Sequence, residues 1–519
     1  MLQPLARQAL NQTARTKVVL PPVGGWNTRD AYGNMPEQDA ILLENWFPRQ
    51  RDVVLRKGYV EHSDTEESAS VQGLVSHDSG ADSQLIAIVN GSVFNVTTDT
   101  PGSALATGLD NAAEVFGFNF KGYSFYCNGE DAIQRYDGST FAASTFDKDA
   151  GESETFTSAD ITFGMGYSNR PYFGGDGLCG FWYSNTVNAV AGANLEYFPL
   201  DGVFQKGGYL SAMGTLTDDD GAGRNDFAVF VSSKGQVALY SGTDPGDANN
   251  WSIIGIYDIG EPVTRFGITK FGADLVIITR DGYIPMSSVL AGRDATSKRY
   301  ALSDKIVSEA NDVTDRYKDN AGWRMFVYPR QSMLIVNVPR TATAYDQHVM
   351  NTVTGAWCRF RNIPATSWAI FNERAYFGST DGKIYLFDEG TSDGDSGITA
   401  DAKAAWNGFG MTARVKQFVM AQPIFISDAS PLIQVGFAVD FSNYEDTGFI
   451  QAAISGSVGV WDEGIWDAST WAGIAAAVKE WVGLSGVGYQ GSLRVRVSEA
   501  MAEISWASTS VIYKSGGLR

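Results

Sequence analysis

The residue types that most often carry chemistry are few in this chain and stand far apart. Of its three histidines, His62, His77 and His348, none has a serine or cysteine at a spacing that suggests a nucleophile and its base. The three cysteines, Cys127, Cys179 and Cys358, lie in separate strand-like contexts without a CxxC pair. They read as buried, reduced thiols, and with so few histidines a zinc site is not expected. There is no HExxH helix, phosphate-cradling glycine loop or sialidase-type Asp-box. Carboxylates are abundant, but abundance on an acidic surface does not define a glycosidase pair. Thr217-Asp218-Asp219-Asp220-Gly221 and Asp393-Gly394-Asp395 look like fragments of calcium loops. Neither has the full alternation closed by a distal Glu, so both read as solvated turns. Near the C-terminus, Trp461, Trp466 and Trp471 fall five residues apart, a spacing that fits neither strand nor helix. They read as rings stapling a loop, with a stacked platform for sugar as the alternative. The expectation is a chain with no catalytic residue, no cofactor and no metal site.

The elements that would position these residues are strands. The stretch Ser367–Gly390 reads as strand, polar turn, strand, Asp381-Gly382 turn, strand, an antiparallel meander. Similar copies recur upstream, marked by Asn90-Gly91, Asn128-Gly129, Lys234-Gly235 and Asp281-Gly282, at intervals of about 38 to 50 residues with one interval doubled. An all-strand repeat of this length predicts a β-propeller of about seven blades, with six or eight also open and a pair of β-sandwiches as the structural alternative. Content of 57 Gly and 12% aromatic residues agrees with turn-rich β structure. Two polar insertions, near 147–160 and 291–317, are placed on the propeller rims, the second with helical spacing at Ile306, Val307, Ala310 and Val313. The predicted layout is an N-terminal arm and lead-in over 1–64, the propeller over 65–393, and a C-terminal antiparallel β platform over 394–519. Within the lead-in, Met35-Pro36-Glu37-Gln38-Asp39 reads as the start of a short helix packing through Ala40, Leu42 and Leu43. Residues 390–397, rich in Gly, Ser and Asp, read as a linker.

The net charge of −20 is unevenly distributed. Residues 1–60 hold 8 basic and 5 acidic residues, residues 61–401 hold 23 and 44, and residues 402–519 hold 8 and 10. A middle region so acidic repels phosphate, which excludes tight nucleic-acid binding there but not a surface past which DNA slides. The first 17 residues are basic and weakly amphipathic and carry no apolar core of a secretion signal, so synthesis in a cytoplasm is expected. No run of about 18 apolar residues is present, so no membrane span is expected.

One segment resembles a known family. Gly24-Gly25-Trp26-Asn27-Thr28-Arg29-Asp30, Met35-Pro36, Ala40, Leu43-Glu44-Asn45-Trp46-Phe47-Pro48 and Leu55-Arg56-Lys57-Gly58-Tyr59 are similar to the opening of short-tailed bacteriophage tail proteins. These are called tail nozzles, tail hubs or packaged-DNA stabilisation proteins. Trp461-Asp462 and Trp466-Asp467 resemble that family's C-terminal part. The likeness is close over about 40 residues at the start and looser over the general layout. It implies a homo-oligomeric ring, usually a hexamer, below the portal and a tail adaptor protein, carrying tail fibres, spikes or the tail tip. Such a ring extends the DNA channel, retains packaged DNA and lets it pass at ejection, and its location is the virion tail. The basic arm then serves to clamp an adjacent subunit or the adaptor. The competing reading is a carbohydrate-binding or carbohydrate-cleaving propeller at a virion or cell surface, and a third is an intracellular propeller scaffold.

Overall fold

Local turn chemistry sets the strand pattern. Asn90-Gly91 has positive φ at both residues (50° and 71°), the geometry that follows the twist of the strands it joins. Ser168-Asn169 (45° and 62°) and Asn372-Glu373 (47° and 61°) adopt it without glycine. Asp381-Gly382 does not: only Gly382 is left-handed (φ 83°), and the ladder resumes at Gly378↔Ile384, leaving a longer loop over 379–383. Glycine is required there twice over, because a Cβ on Gly382 would lie 1.8 Å from the Glu67 carbonyl oxygen.

The computed structural model describes residues 14–80, 83–219, 224–291, 301–429, 431–442, 445–451 and 476–516. They fall into two units. One comprises Gly58–Gly355 and Phe360–Gly390; the other combines the chain up to Lys57 with Ala356–Arg359 and the chain from Thr391.

The first unit is a β-propeller. Its innermost strands pack in succession: Val71–Asp78 on Phe116–Phe120, then Ile161–Tyr167, Leu210–Asp219, Ile268–Phe271, Arg324–Tyr328 and Ala365–Phe371, which returns to Val71–Asp78. Both faces of each inner strand group are therefore covered, which accounts for wholly buried runs such as Met333–Pro339. Tyr172, Phe181, Phe230 and Trp251 fill the space between the third and fourth groups, and Val229, Leu239, Ile277 and Ile284 the space between the fourth and fifth. Each such side chain contributes about 1.5–3 kcal/mol of burial.

Five groups are self-contained sheets and stand as blades, against the seven or so expected from the repeat spacing. The copies beginning at Arg324 and Ala365 follow the same meander but do not close on themselves. The first gives up part of its fourth strand: residues 356–359 belong to the other unit, where Arg359 pairs in parallel with Glu44. The second borrows its fourth strand from far upstream, Lys383–Phe387 pairing antiparallel with Tyr59–Asp64. That pairing joins the end of the ring to its beginning. The insertions also take form: Asp147–Lys148 adds a parallel strand to the third blade, and Val307–Tyr317 is a helix that buries Ala310, Val313 and Thr314.

The second unit is a β-sandwich in which the lead-in is not separate from the C-terminal strands. Ala14–Val19 and Val53–Leu55 both pair with Ile504–Ser515, which pairs with Lys416–Ser427. Opposite them, Asp39–Glu44, Ser396–Ala404, Gly491–Ala500 and Leu432–Val439 form the other sheet. Phe418 and Phe437 meet between the sheets at 4.8 Å. The helix expected after Pro36 is absent: Asp39–Glu44 is a strand, because Ala40, Leu43 and Glu44 find ladder partners in Ala404, Ala402 and Asp401. Long-range pairing overrides local helix signals here. Residues 390–397 are likewise not a free linker, since Ser392–Asp393 and Ser396–Ala404 form a hairpin.

Asp393, expected in a solvated turn, is instead half-buried against the buried Arg56, with guanidinium contacts of 2.5 and 2.7 Å. Arg56 Nε also donates to Asn45 Oδ1 at 2.9 Å. Burial pushes the Asp393 carboxyl up and Arg56 pulls it back down. Asp393→Ala leaves a buried guanidinium without its carboxylate, and we expect the sandwich unit to lose about 3–5 kcal/mol in urea unfolding. A loss under about 1 kcal/mol contradicts this assignment.

Candidate functional site

The residues singled out for chemistry are not brought together. His62 shares a hydrogen bond with the Val96 carbonyl at 3.0 Å and lies edge-on to Tyr376. His77 Nδ1 lies 2.7 Å from Ser124 Oγ, which donates to Asn119 Oδ1 at 2.6 Å. His348 Nδ1 lies 2.8 Å from the Tyr283 hydroxyl. All of His77, Ser124 and His348 are buried, so the Ser–His contact is a packed polar pair rather than a nucleophile open to substrate. Cys127 and Cys358 are buried and Cys179 half-buried, and burial raises each thiol above its usual range. Such thiols are poor nucleophiles. Among the described residues no group of three or more His, Cys, Asp or Glu is placed to hold a metal ion. Thr217 donates to Asp226 Oδ1 at 2.8 Å, while part of the acidic turn after it, and Trp461, Trp466 and Trp471 with the sugar-platform reading, lie outside the described residues.

What the propeller does bring together is a set of side chains across its own axis. Glu114 precedes the innermost strand of the second blade, Phe266 that of the fifth, and Arg324 opens the copy after it. Glu114 Oε1 accepts from the Gly322 amide at 3.0 Å and from the Arg324 guanidinium at 3.2 Å. The guanidinium carbon lies 3.3 Å over the Phe266 ring, and Phe266 meets Phe116 at 5.5 Å. The second blade is thus tied to strands on the far side of the ring. Burial depresses the Arg324 pKa, Glu114 partly offsets this, and neighbouring Arg265 adds to it. A desolvated cation stacked on an aromatic face and held by one carboxylate is a strong, directional contact.

Residues of this clasp line two cavities. One of about 260 Å³ is lined by Val75, Phe116, Phe118, Phe266, Arg324 and Ile370. The other, of about 480 Å³, is lined by Gln72, Glu114, Asn320, Gly322, Tyr345 and Thr366. The charged groups at their junction are already paired, and the arrangement offers no positioned nucleophile or acid–base couple. It links the second blade to the fifth and to the copy opening at Arg324, across the ring. No sequence signal pointed to it beyond an arginine opening an otherwise apolar inner strand, Arg324–Tyr328.

No protein-family model and no curated protein matches the chain. Among solved structures, the chain is similar to an exo-β-1,3-galactanase from Phanerochaete chrysosporium (9% identity, 78% of this chain and 96% of that one, TM-score 0.27). It is also similar to PorZ, a surface component of the type-IX secretion system of Porphyromonas gingivalis (13% identity, 67% and 39% coverage, TM-score 0.37). A third is a β-propeller domain from Myceliophteria thermophila (12% identity, 65% and 99% coverage, TM-score 0.37). All three overlays are loose, and the propeller assignment rests on the strand ladders themselves.

Two outcomes follow from this geometry. Glu114→Ala strands Arg324 without its counter-charge and lowers propeller stability by about 3 kcal/mol, whereas Glu114→Ala with Arg324→Met restores at least about 1 kcal/mol of that loss. Additive losses in urea unfolding contradict the clasp. His77 titrates below its ordinary 6.5 because burial outweighs the pull of Asp78 and Asp137, and its Nε2 has no partner to accept a second proton's hydrogen bond. The folded state therefore takes up this proton later than the unfolded chain. Stability from this group is complete above about pH 6.5 and falls as the pH drops below it. His77→Gln should flatten unfolding free energy between about pH 7 and 5.5, and an unchanged slope refutes the assignment.

Proposed function

We propose that the chain is a structural protein of a short phage tail, whose copies form a ring that extends the DNA channel, retains the genome and lets it pass at ejection. The observation that carries this reading is the acidity of the propeller unit. The propeller unit, residues 58–355 and 360–390, holds 22 basic and 41 acidic residues, and Phe116, Phe266 and Arg324 meet between its inner strands. A path for DNA then runs between copies, along acidic walls that repel phosphate and let the polymer slide. The segment that resembles the nozzle and hub family supports the reading in a second way. Trp26, Ala40, Leu43, Asn45, Trp46, Phe47, Leu55 and Arg56 are buried in the sandwich unit, so the resemblance falls on residues that specify a fold rather than on a catalytic centre. In this reading the partners are further copies of the chain, the tail adaptor, and fibres or a tip.

Mass photometry of the purified chain is expected to give one closed oligomer, with six copies the leading stoichiometry, and no retention of duplex DNA at physiological salt. A stable monomer at every concentration overturns the ring. Specific binding to a glycan array, or release of sugar, moves the chain to the carbohydrate reading instead.

A further inference from the structure

We infer that the chain carries two open sheet edges that pair between neighbouring copies: the Trp251–Asp258 strand of the propeller unit and the Ala14–Val19 strand of the sandwich unit. The inference rests on the ring reading and names its contact.

Trp251–Asp258 is the last strand of the fourth blade and is laddered on one side only, to Gln236–Gly242. Other outer strands are covered. Asn194–Pro199 takes Asp147–Lys148, Lys383–Phe387 takes Tyr59–Asp64, and Ser92–Asn95 is bridged by Ala106. Phe141–Ala143 is open as well, but it is only three residues long. Proteins usually protect long edges with lysine, proline, bulges or a covering segment, and of these Trp251–Asp258 has only a bulge. Here Ser252 to Tyr257 carries no charge, and Ile253, Ile254 and Ile256 are 44%, 50% and 37% exposed. The ladder slips by a residue opposite Leu239 and Tyr240, so the consecutive Ile253 and Ile254 both stand clear.

Ala14–Val19 has the complementary character. It pairs with Ile504–Ser515 on one side, and among the described residues no strand lies on the other. Val18 and Leu20 are 60% and 48% exposed, and the only charges from Ala14 to Leu20 are Arg15 and Lys17. Lys17 reaches Glu37 at 3.5 Å, an exposed pair of little energetic weight. An apolar edge bearing two cations therefore matches an apolar, uncharged edge set in a strongly acidic unit, whereas two acidic propeller edges repel each other. Strand addition supplies main-chain hydrogen bonds, and the exposed Ile, Val and Leu side chains supply burial. Because the two patches differ, the contact is head-to-tail, the kind that closes rings.

The test combines Ile254→Lys with a cysteine pair, Val18→Cys with Ile254→Cys, both in the full chain. Ile254→Lys is expected to keep the thermal transition and raise the assembly midpoint in mass photometry at least tenfold. Under mild oxidation the cysteine pair is expected to give covalent multimers, which neither single-cysteine variant gives. Wild-type rings that persist in Ile254→Lys, with no multimers from the cysteine pair, overturn the edge pairing and leave the ring reading standing. Cross-links confined to the monomer band likewise overturn pairing between copies. A wild type that never assembles overturns both.

Discussion

A propeller blade has two apolar faces, and neither is covered unless the circle of blades closes. In this chain the closing interaction is the antiparallel ladder between Lys383–Phe387 and Tyr59–Asp64, which joins residues more than three hundred positions apart. Once it forms, Val71–Asp78 and Ala365–Phe371 become neighbours, and the wholly buried strands between them are covered on both sides. Tyr59 lies edge-on to both Phe377 and Tyr385, so the borrowed strand is held by aromatic packing as well as by its ladder. Non-local closure of this sort costs loop entropy before it returns burial, and it makes folding of the unit cooperative.

The clasp across the axis extends the same constraint inward. Glu114, Phe116, Phe266 and Arg324 connect opposite sides of the circle where blade-to-blade packing alone connects only neighbours. The circle is thus held both at its seam and across its diameter. His77 and His348 are hydrogen-bonded in the core, Cys127 and Cys358 are buried, and Cys179 is half-buried.

The sequence carried the local part of this architecture plainly. Strand alternation and turns such as Asn90-Gly91 depend on a few adjacent residues, so the repeat was readable. The lead-in differs from its local pattern because Ala40 and Leu43 satisfy a helical stripe as well as a strand, and Ser396–Ala404, far along the chain, decides between them. Asp393 looked solvated for the same reason, its counter-ion Arg56 being 337 residues away. The number of self-contained blades was overestimated because a strand can be lent or borrowed without any mark in its own residues. The clasp was invisible from sequence: its members come from three different copies of the repeat, and no one copy contains enough of them to form a motif.

The proposed role is a ring of copies in which any polymer path lies outside the propeller axes. Cryo-electron microscopy of the assembled protein with duplex DNA tests this most directly. The account predicts a ring of copies around an open lumen, side-chain density linking Phe116, Phe266 and Arg324 in every propeller, and DNA confined to the lumen. Isolated monomers, or nucleic acid or sugar density threaded into a propeller axis, would contradict it.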